Sequence, residues 1–203
     1  MPDPIIIDPI FAKYIPSFRP ITVNSKTIGF RGRTLSAKKR RWLLEKMKKN
    51  GIDTIIDIRA EDQSDDFPSA CQKAELKYFH FPIDKSRTPD KDIIEKLSTF
   101  IETINNGRFY ISCALGLHRT DIALSIYYIF NPNTQEPPVL YGHIVDGNLK
   151  YDDIFQRVGS IYRSLKKMGK NPLGWDDSFE QEYNKRKKSL LEYQKKYLEN
   201  FNL

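Results

Sequence analysis

The stretch from Phe109 to Phe130, FYISCALGLHRTDIALSIYYIF, constrains this chain more than any other. A β-type run ends at Cys113, five residues intervene, Arg119 follows, and an apolar helix-like segment starts at once. A strand that turns through a short loop into a helix can aim the loop's backbone N–H groups at one spot. The helix N-terminus adds positive potential there, so the unit is an anion site of phosphate size. Gly116 supplies the backbone freedom that such a loop needs. Arg119 can present a planar fork to two phosphate oxygens, which a lysine cannot match. Cys113 lies in the positive field of the loop, which favours the thiolate, the nucleophilic form. A thiolate facing a bound phosphorus can form a phosphocysteine intermediate. Thr120 is placed to hydrogen-bond that sulfur when it leaves. Ala114, Leu115, Gly116, Leu117, His118 and Arg119 are then the phosphate-binding residues.

A unit of this kind needs a sheet to stand in. Ile21–Val23 and Thr27–Phe30 are short β-like runs around an Asn24-Ser25 turn signal. Ser36 is a candidate cap for a helix over 37–49, with Trp42, Leu43 and Met47 on its inner stripe and Asn50-Gly51 as its stop. Thr54–Ile58 (TIIDI) has the β-branched character of a strand covered on both faces. A short helix over 68–76 leads to a strand over 78–83, where Pro82 marks a strand end or a sheet edge. Thr88-Pro89 opens a helix carrying Ile93, Leu97, Phe100, Ile101 and Ile104 at helical spacing, closed by Asn106-Gly107. The 109–112 strand and the 120–130 helix follow, then a helix over 152–168 and a long charged helix over 177–201.

Strands alternating with helices predict an α/β fold: a central, largely parallel mixed sheet flanked by helices, with a C-terminal helical extension. The expected division is an extended N-terminal lead-in over 1–20, a catalytic domain over 21–170 and a charged helix over 171–203. Tyr183, Leu190, Tyr197 and Phe201 would pack that helix back on the domain.

Composition narrows the partner more than the fold. At 203 residues the chain can bury one sizeable core. Its net charge of +7 suits an acidic substrate, although the Lys-rich stretches 38–49 and 185–196 also read as solvated helix faces. Nucleic acid is allowed by this charge and not favoured. Prolines 2, 4, 9, 16 and 20 interrupt the N-terminus, so no signal peptide is expected. No apolar run approaches the ~20 residues of a membrane span. Cys71 and Cys113 are the only cysteines, which is no disulfide framework; a cytoplasmic, reducing setting is expected. His80 and His143 lack metal-ligand spacing, and neither a metal nor a cofactor is expected.

Cys113–Thr120 (CALGLHRT) resembles the phosphate loop of the protein tyrosine phosphatase superfamily, His-Cys-x5-Arg followed by Ser or Thr. Gly51–Arg59 (GIDTIIDIR) resembles the strand that these domains place before their acid-bearing region, and Phe30–Gly32 their early Arg-Gly strand end. The similarity covers about 21–165. No Trp-Pro-Asp loop is present, so the resemblance is to the dual-specificity branch. It implies the cysteine-phosphatase fold and a phosphorylated protein as substrate, with phosphotyrosine first and phosphoserine or phosphothreonine behind it. It also implies a general acid on a loop before the cysteine, for which Asp84 is the candidate and Asp90 the reserve. Some relatives form a reversible disulfide with the nucleophile, a role open here to Cys71.

Two positions depart from the pattern. Ser112 stands where the family usually has histidine; Asp121 stands where glycine is common, and it either brings a negative charge close to the phosphate site or favours the helix N-terminus. Three other readings of the same loop remain: an RNA 5′-triphosphatase, a phosphoinositide phosphatase, and an inactive phosphate-binding module. The intervening loop residues contain no lysine, which disfavours an inositol substrate.

Overall fold

A computed structural model of the chain describes residues 8–60, 66–83, 91–145, 148–149, 152–169 and 179–201. Its centre is a five-stranded sheet built from β1 (Arg19–Val23), β2 (Lys26–Arg33), β3 (Thr54–Asp57), β4 (Lys77–His80) and β5 (Phe109–Cys113), in the order β1-β2-β5-β3-β4. The β1–β2 hairpin is antiparallel, while β2, β5, β3 and β4 run parallel. The fold is therefore the expected mixed, largely parallel sheet. β5, with every residue buried, is its middle strand. Both of its edges are hydrogen-bonded, so Cys113 leaves the sheet from its most constrained strand.

Alternation along the strands feeds two cores. Phe109, Ile111 and Cys113 face one core with Ile56 and Ile58; Tyr110 and Ile55 face the other. The first core is closed by α4 (Lys91–Asn105), α5 (His118–Phe130), α6 (Asp152–Lys167) and α7 (Phe179–Phe201). The second is closed by α1 (Ile10–Tyr14), α2 (Arg40–Lys49) and α3 (Phe67–Lys73). A two-stranded hairpin, β6 (Ile144–Val145) with β7 (Asn148–Leu149), precedes α6.

Several local expectations are corrected. The lead-in is not extended throughout: its Ile10–Tyr14 turn is helical, with Phe11 buried. Ser36 makes no side-chain cap; a 3₁₀ turn at Ala37–Lys39 begins there and the α-helix starts at Arg40. On that helix Leu43 and Met47 are buried as expected, but Trp42 is 37% exposed and Arg40 is buried in addition. The cause is tertiary. The Arg40 guanidinium donates to the Leu35 carbonyl, pairs with Asp66 and lies over the Phe67 ring. Trp42 instead meets Tyr14 edge-on at the rim. β4 stops at His80, before Pro82, and is an edge strand as the proline suggests.

The C-terminal helix packs on the domain through Tyr183, Leu190 and Leu198. Two buried polar side chains fasten it. Arg186 donates to the carbonyls of Tyr128, Pro132 and Thr134, and Gln194 bridges the Pro138 carbonyl and the Leu140 N–H. Tyr197 packs edge-on against Tyr141, while the Phe201 side chain lies outside what is described. Among the described residues no helix is long and apolar enough to cross a membrane.

Candidate active site

β5 ends at Cys113, and the loop Ala114–Leu117 turns directly into α5. The Cys113 side chain lies at the floor of this turn, 3% exposed. Its sulfur accepts the Gly116 N–H at 3.1 Å and faces the Thr120 hydroxyl at 3.5 Å. Ala114 and Leu115 are exposed, Gly116 is buried, and Arg119 is half-buried in the first turn of the helix. The expected residues Cys113 through Thr120 thus form one compact strand–loop–helix site. Asp84 and Asp90 lie outside the described residues.

Gly116 is required by two separate facts. Its φ of +72° is a conformation that side-chain-bearing residues rarely adopt, and a Cβ there would fall 2.2 Å from the Gly32 carbonyl carbon. The loop therefore rests on the end of β2, backbone against backbone. The Thr34 N–H to Cys113 carbonyl bond of 2.9 Å holds that contact, as does the Tyr110 hydroxyl, which donates to the Arg33 carbonyl at 2.6 Å. Burial, and then the nearby Cys113, push the Tyr110 phenol well above its ordinary pKa, so it stays a donor.

Arg31 is the residue that sequence reasoning missed. It is 1% exposed, and its guanidinium donates to the Gly116 carbonyl (3.1 and 3.3 Å) and the Leu117 carbonyl (2.9 Å). In a trans peptide the C=O and the following N–H point in opposite directions. Holding these two carbonyls inward therefore turns the N–H groups of Leu117 and His118 away from Arg31. The available signal was an arginine between Phe30 and Gly32 inside a strand run, FRGR, since such a charge is buried only with partners.

Asp121 is that partner, and the reading that it brings negative charge to the phosphate site is corrected. Its carboxylate is fully buried, pairs with Arg31 at 2.5 Å and accepts the Gly142 N–H at 2.6 Å. The charge is neutralised beneath the loop. Gly142 lets the Tyr141–His143 turn come this close, because a Cβ there would meet the Leu117 carbonyl carbon at 2.6 Å.

Ser112 is buried between Gly32 and Asp57 on the neighbouring strands, and its hydroxyl has no hydrogen-bond partner among the described residues. Asp57 is buried too, and it accepts from Arg59 and from the Tyr78 hydroxyl. Burial first, then Asp57, raise the Tyr78 pKa, so this phenol also remains a donor. Cys71 packs in α3 within the second core, whereas Cys113 belongs to the first, and no disulfide joins them. The two are not brought together. His80 packs along its strand, its Nε2 2.7 Å from the Arg59 carbonyl. No cluster of metal-ligating side chains occurs among the described residues.

A family model described as "DSP-PTPase phosphatase fused to NAD+ Kinase" matches residues 15–137, from the start of the sheet to beyond α5. Over 117 residues, 54% of this chain, the sequence is 27% identical to NAD kinase 2, chloroplastic, of Arabidopsis thaliana, and spans 12% of that protein's length. A solved DUF442 protein from Shewanella putrefaciens CN-32 superposes with a TM-score of 0.53 at 13% identity, covering 77% of this chain and 98% of its own. That likeness is one of fold.

Proposed function

Because the chain belongs to the family of DSP-PTPase phosphatases fused to NAD+ kinase, we propose that it is a cysteine-dependent phosphatase hydrolysing phosphate monoesters through a phosphocysteine intermediate. The observation that carries this reading is the Cys113 sulfur at the floor of a loop whose Gly116 and Leu117 carbonyls are tied back by Arg31. The N–H groups of those peptides are thereby turned away from Arg31, the orientation that phosphate binding by a loop requires.

In the first step the Cys113 thiolate attacks phosphorus. A P–S bond forms, the ester P–O bond breaks, and the leaving oxygen takes a proton from Asp84. Arg119 and the loop N–H groups hold the non-bridging oxygens. In the second step Asp84 accepts a proton from water as that water attacks phosphorus. The P–S bond breaks, inorganic phosphate is released, and the Thr120 hydroxyl stabilises the departing thiolate. Phosphotyrosine, then phosphoserine and phosphothreonine, are the protein esters that the dual-specificity type implies.

Hydrolysis of p-nitrophenyl phosphate in EDTA tests the reading, with wild type compared against Cys113→Ser and Asp84→Asn. Turnover should need no metal, vanish in Cys113→Ser and fall by about 10²–10⁴ in Asp84→Asn. Turnover that survives the loss of the thiol would exclude the phosphocysteine route.

A further inference from the structure

A cavity of about 710 Å³ opens beside the phosphate loop and meets it at Ala114. The proposed chemistry makes no use of it. Ile15, Pro16 and Leu35 supply apolar wall, while Arg33, Thr34 and Arg59 supply the polar groups. This is the make-up of a small-molecule site: hundreds of cubic ångströms, mainly apolar, with few polar groups.

Two of those polar groups lack partners. The Thr34 hydroxyl makes no hydrogen bond among the described residues, but it has no accessible surface and so lies behind the cavity wall, out of reach of a ligand. Arg33 is exposed and forms no ion pair among the described residues. By contrast, Arg59 is already committed to Asp57. Backbone bonds hold both unpartnered residues beside the loop: Arg33 N–H to the Pro16 carbonyl at 3.0 Å, and Thr34 N–H to the Cys113 carbonyl at 2.9 Å. Their positions relative to the nucleophile are therefore set by the sheet.

We propose that this cavity holds the body of a small organic substrate, and that Arg33 binds a second anionic group on it. The preferred substrate is then a phosphomonoester carrying a second phosphate, of nucleoside-bisphosphate size. This rests on the phosphatase reading of the Cys113 loop and narrows its substrate. A phosphorylated side chain on a protein would reach the loop but leave its polypeptide on the open surface. It would leave the apolar wall of the cavity uncovered.

The test compares kcat/KM of the full chain for adenosine 3′,5′-bisphosphate and adenosine 3′-monophosphate, with a phosphotyrosine peptide and p-nitrophenyl phosphate alongside. The bisphosphate should exceed the monophosphate by about tenfold or more, the worth of one charge-assisted hydrogen bond. Arg33→Ala should shrink that ratio, Arg33→Lys should restore part of it, and Thr34→Val should leave it unchanged. Equal values for the two nucleotides, a ratio indifferent to Arg33, or a phosphopeptide that outranks the bisphosphate would overturn the proposal while leaving the phosphatase reading intact. If no ester is turned over, calorimetric binding of the bisphosphate to Cys113→Ser decides. Binding lost on adding Arg33→Ala upholds the cavity assignment, and no binding ends it.

Discussion

Arg31 and Asp121 meet as a fully buried ion pair, Nη1 to Oδ1 2.5 Å, beneath the loop that carries the nucleophile. The same guanidinium holds the Gly116 and Leu117 carbonyls, and the same carboxylate holds the Gly142 N–H. One pair therefore joins β2, the phosphate loop, α5 and the turn before β6. Arg31→Met leaves Asp121 buried without its cation, and stability should fall by about 3–5 kcal/mol. The double variant Arg31→Met with Asp121→Leu should regain much of that loss. Its affinity for inorganic phosphate should nevertheless stay below wild type, because the carbonyls are no longer tied back. Urea unfolding together with a phosphate titration reads both quantities, and wild-type phosphate affinity in the double variant would refute the positioning role.

Gly116→Ala adds a methyl into the backbone of Gly32 and forces a non-glycine residue to φ +72°. The conformational strain alone costs about 1–3 kcal/mol, and the clash adds to it. Because the loop must lift off β2 to relieve the clash, phosphate binding should weaken together with the melting temperature.

Thr120→Ala removes the hydroxyl that lies 3.5 Å from the Cys113 sulfur. This hydroxyl assists the thiolate as a leaving group, so the second chemical step should slow more than the first. Rapid-quench experiments should then show a burst of p-nitrophenol and accumulated phosphoenzyme. A uniform slowing without a burst would place the role of Thr120 elsewhere.

Ser112→Ala removes a buried hydroxyl that has no partner among the described residues. Deleting such a group relieves an uncompensated desolvation penalty of about 1–3 kcal/mol, partly offset by the small void left. The melting temperature should hold or rise. A fall of several degrees would mean that the hydroxyl is satisfied in solution.

Arg186→Met breaks three hydrogen bonds that tie α7 to the end of α5 and to the segment after it. Hydrogen bonds to charged groups contribute about 1.5–3 kcal/mol each, and three carbonyls would lose their donor together. Hydrogen exchange should show lost protection in α7 and in the 131–140 segment first.

Much of this was legible from local sequence. Cys113, Gly116, Arg119 and Thr120 lie within one turn of chain, so their spacing alone implies a loop around an anion. The strand and helix either side follow from apolar runs and periodicity. What escaped was what the sheet brings together. Arg31 read as part of a strand end, and Asp121 as a charge near the phosphate or the helix N-terminus, because neither side chain's direction is a local property. Trp42 was misplaced for the same reason, since Arg40 finds carbonyl and carboxylate partners on other elements and takes an inner position.

The sequence by itself determined the chemistry available to this protein: a thiol, a guanidinium, a hydroxyl and a glycine at the spacing of a strand–loop–helix turn, in a chain of alternating strands and helices. Only the tertiary structure decided how that loop is held and what lies next to it. Parallel pairing of β2 with β5 seats Gly32 under Gly116 and carries Arg31 to Asp121. It also brings Arg33 and Thr34 to the cavity at Ala114. Parallel neighbours are joined by long crossovers, so contacts across them link residues far apart in the chain, and no local pattern encodes which side chains will meet there.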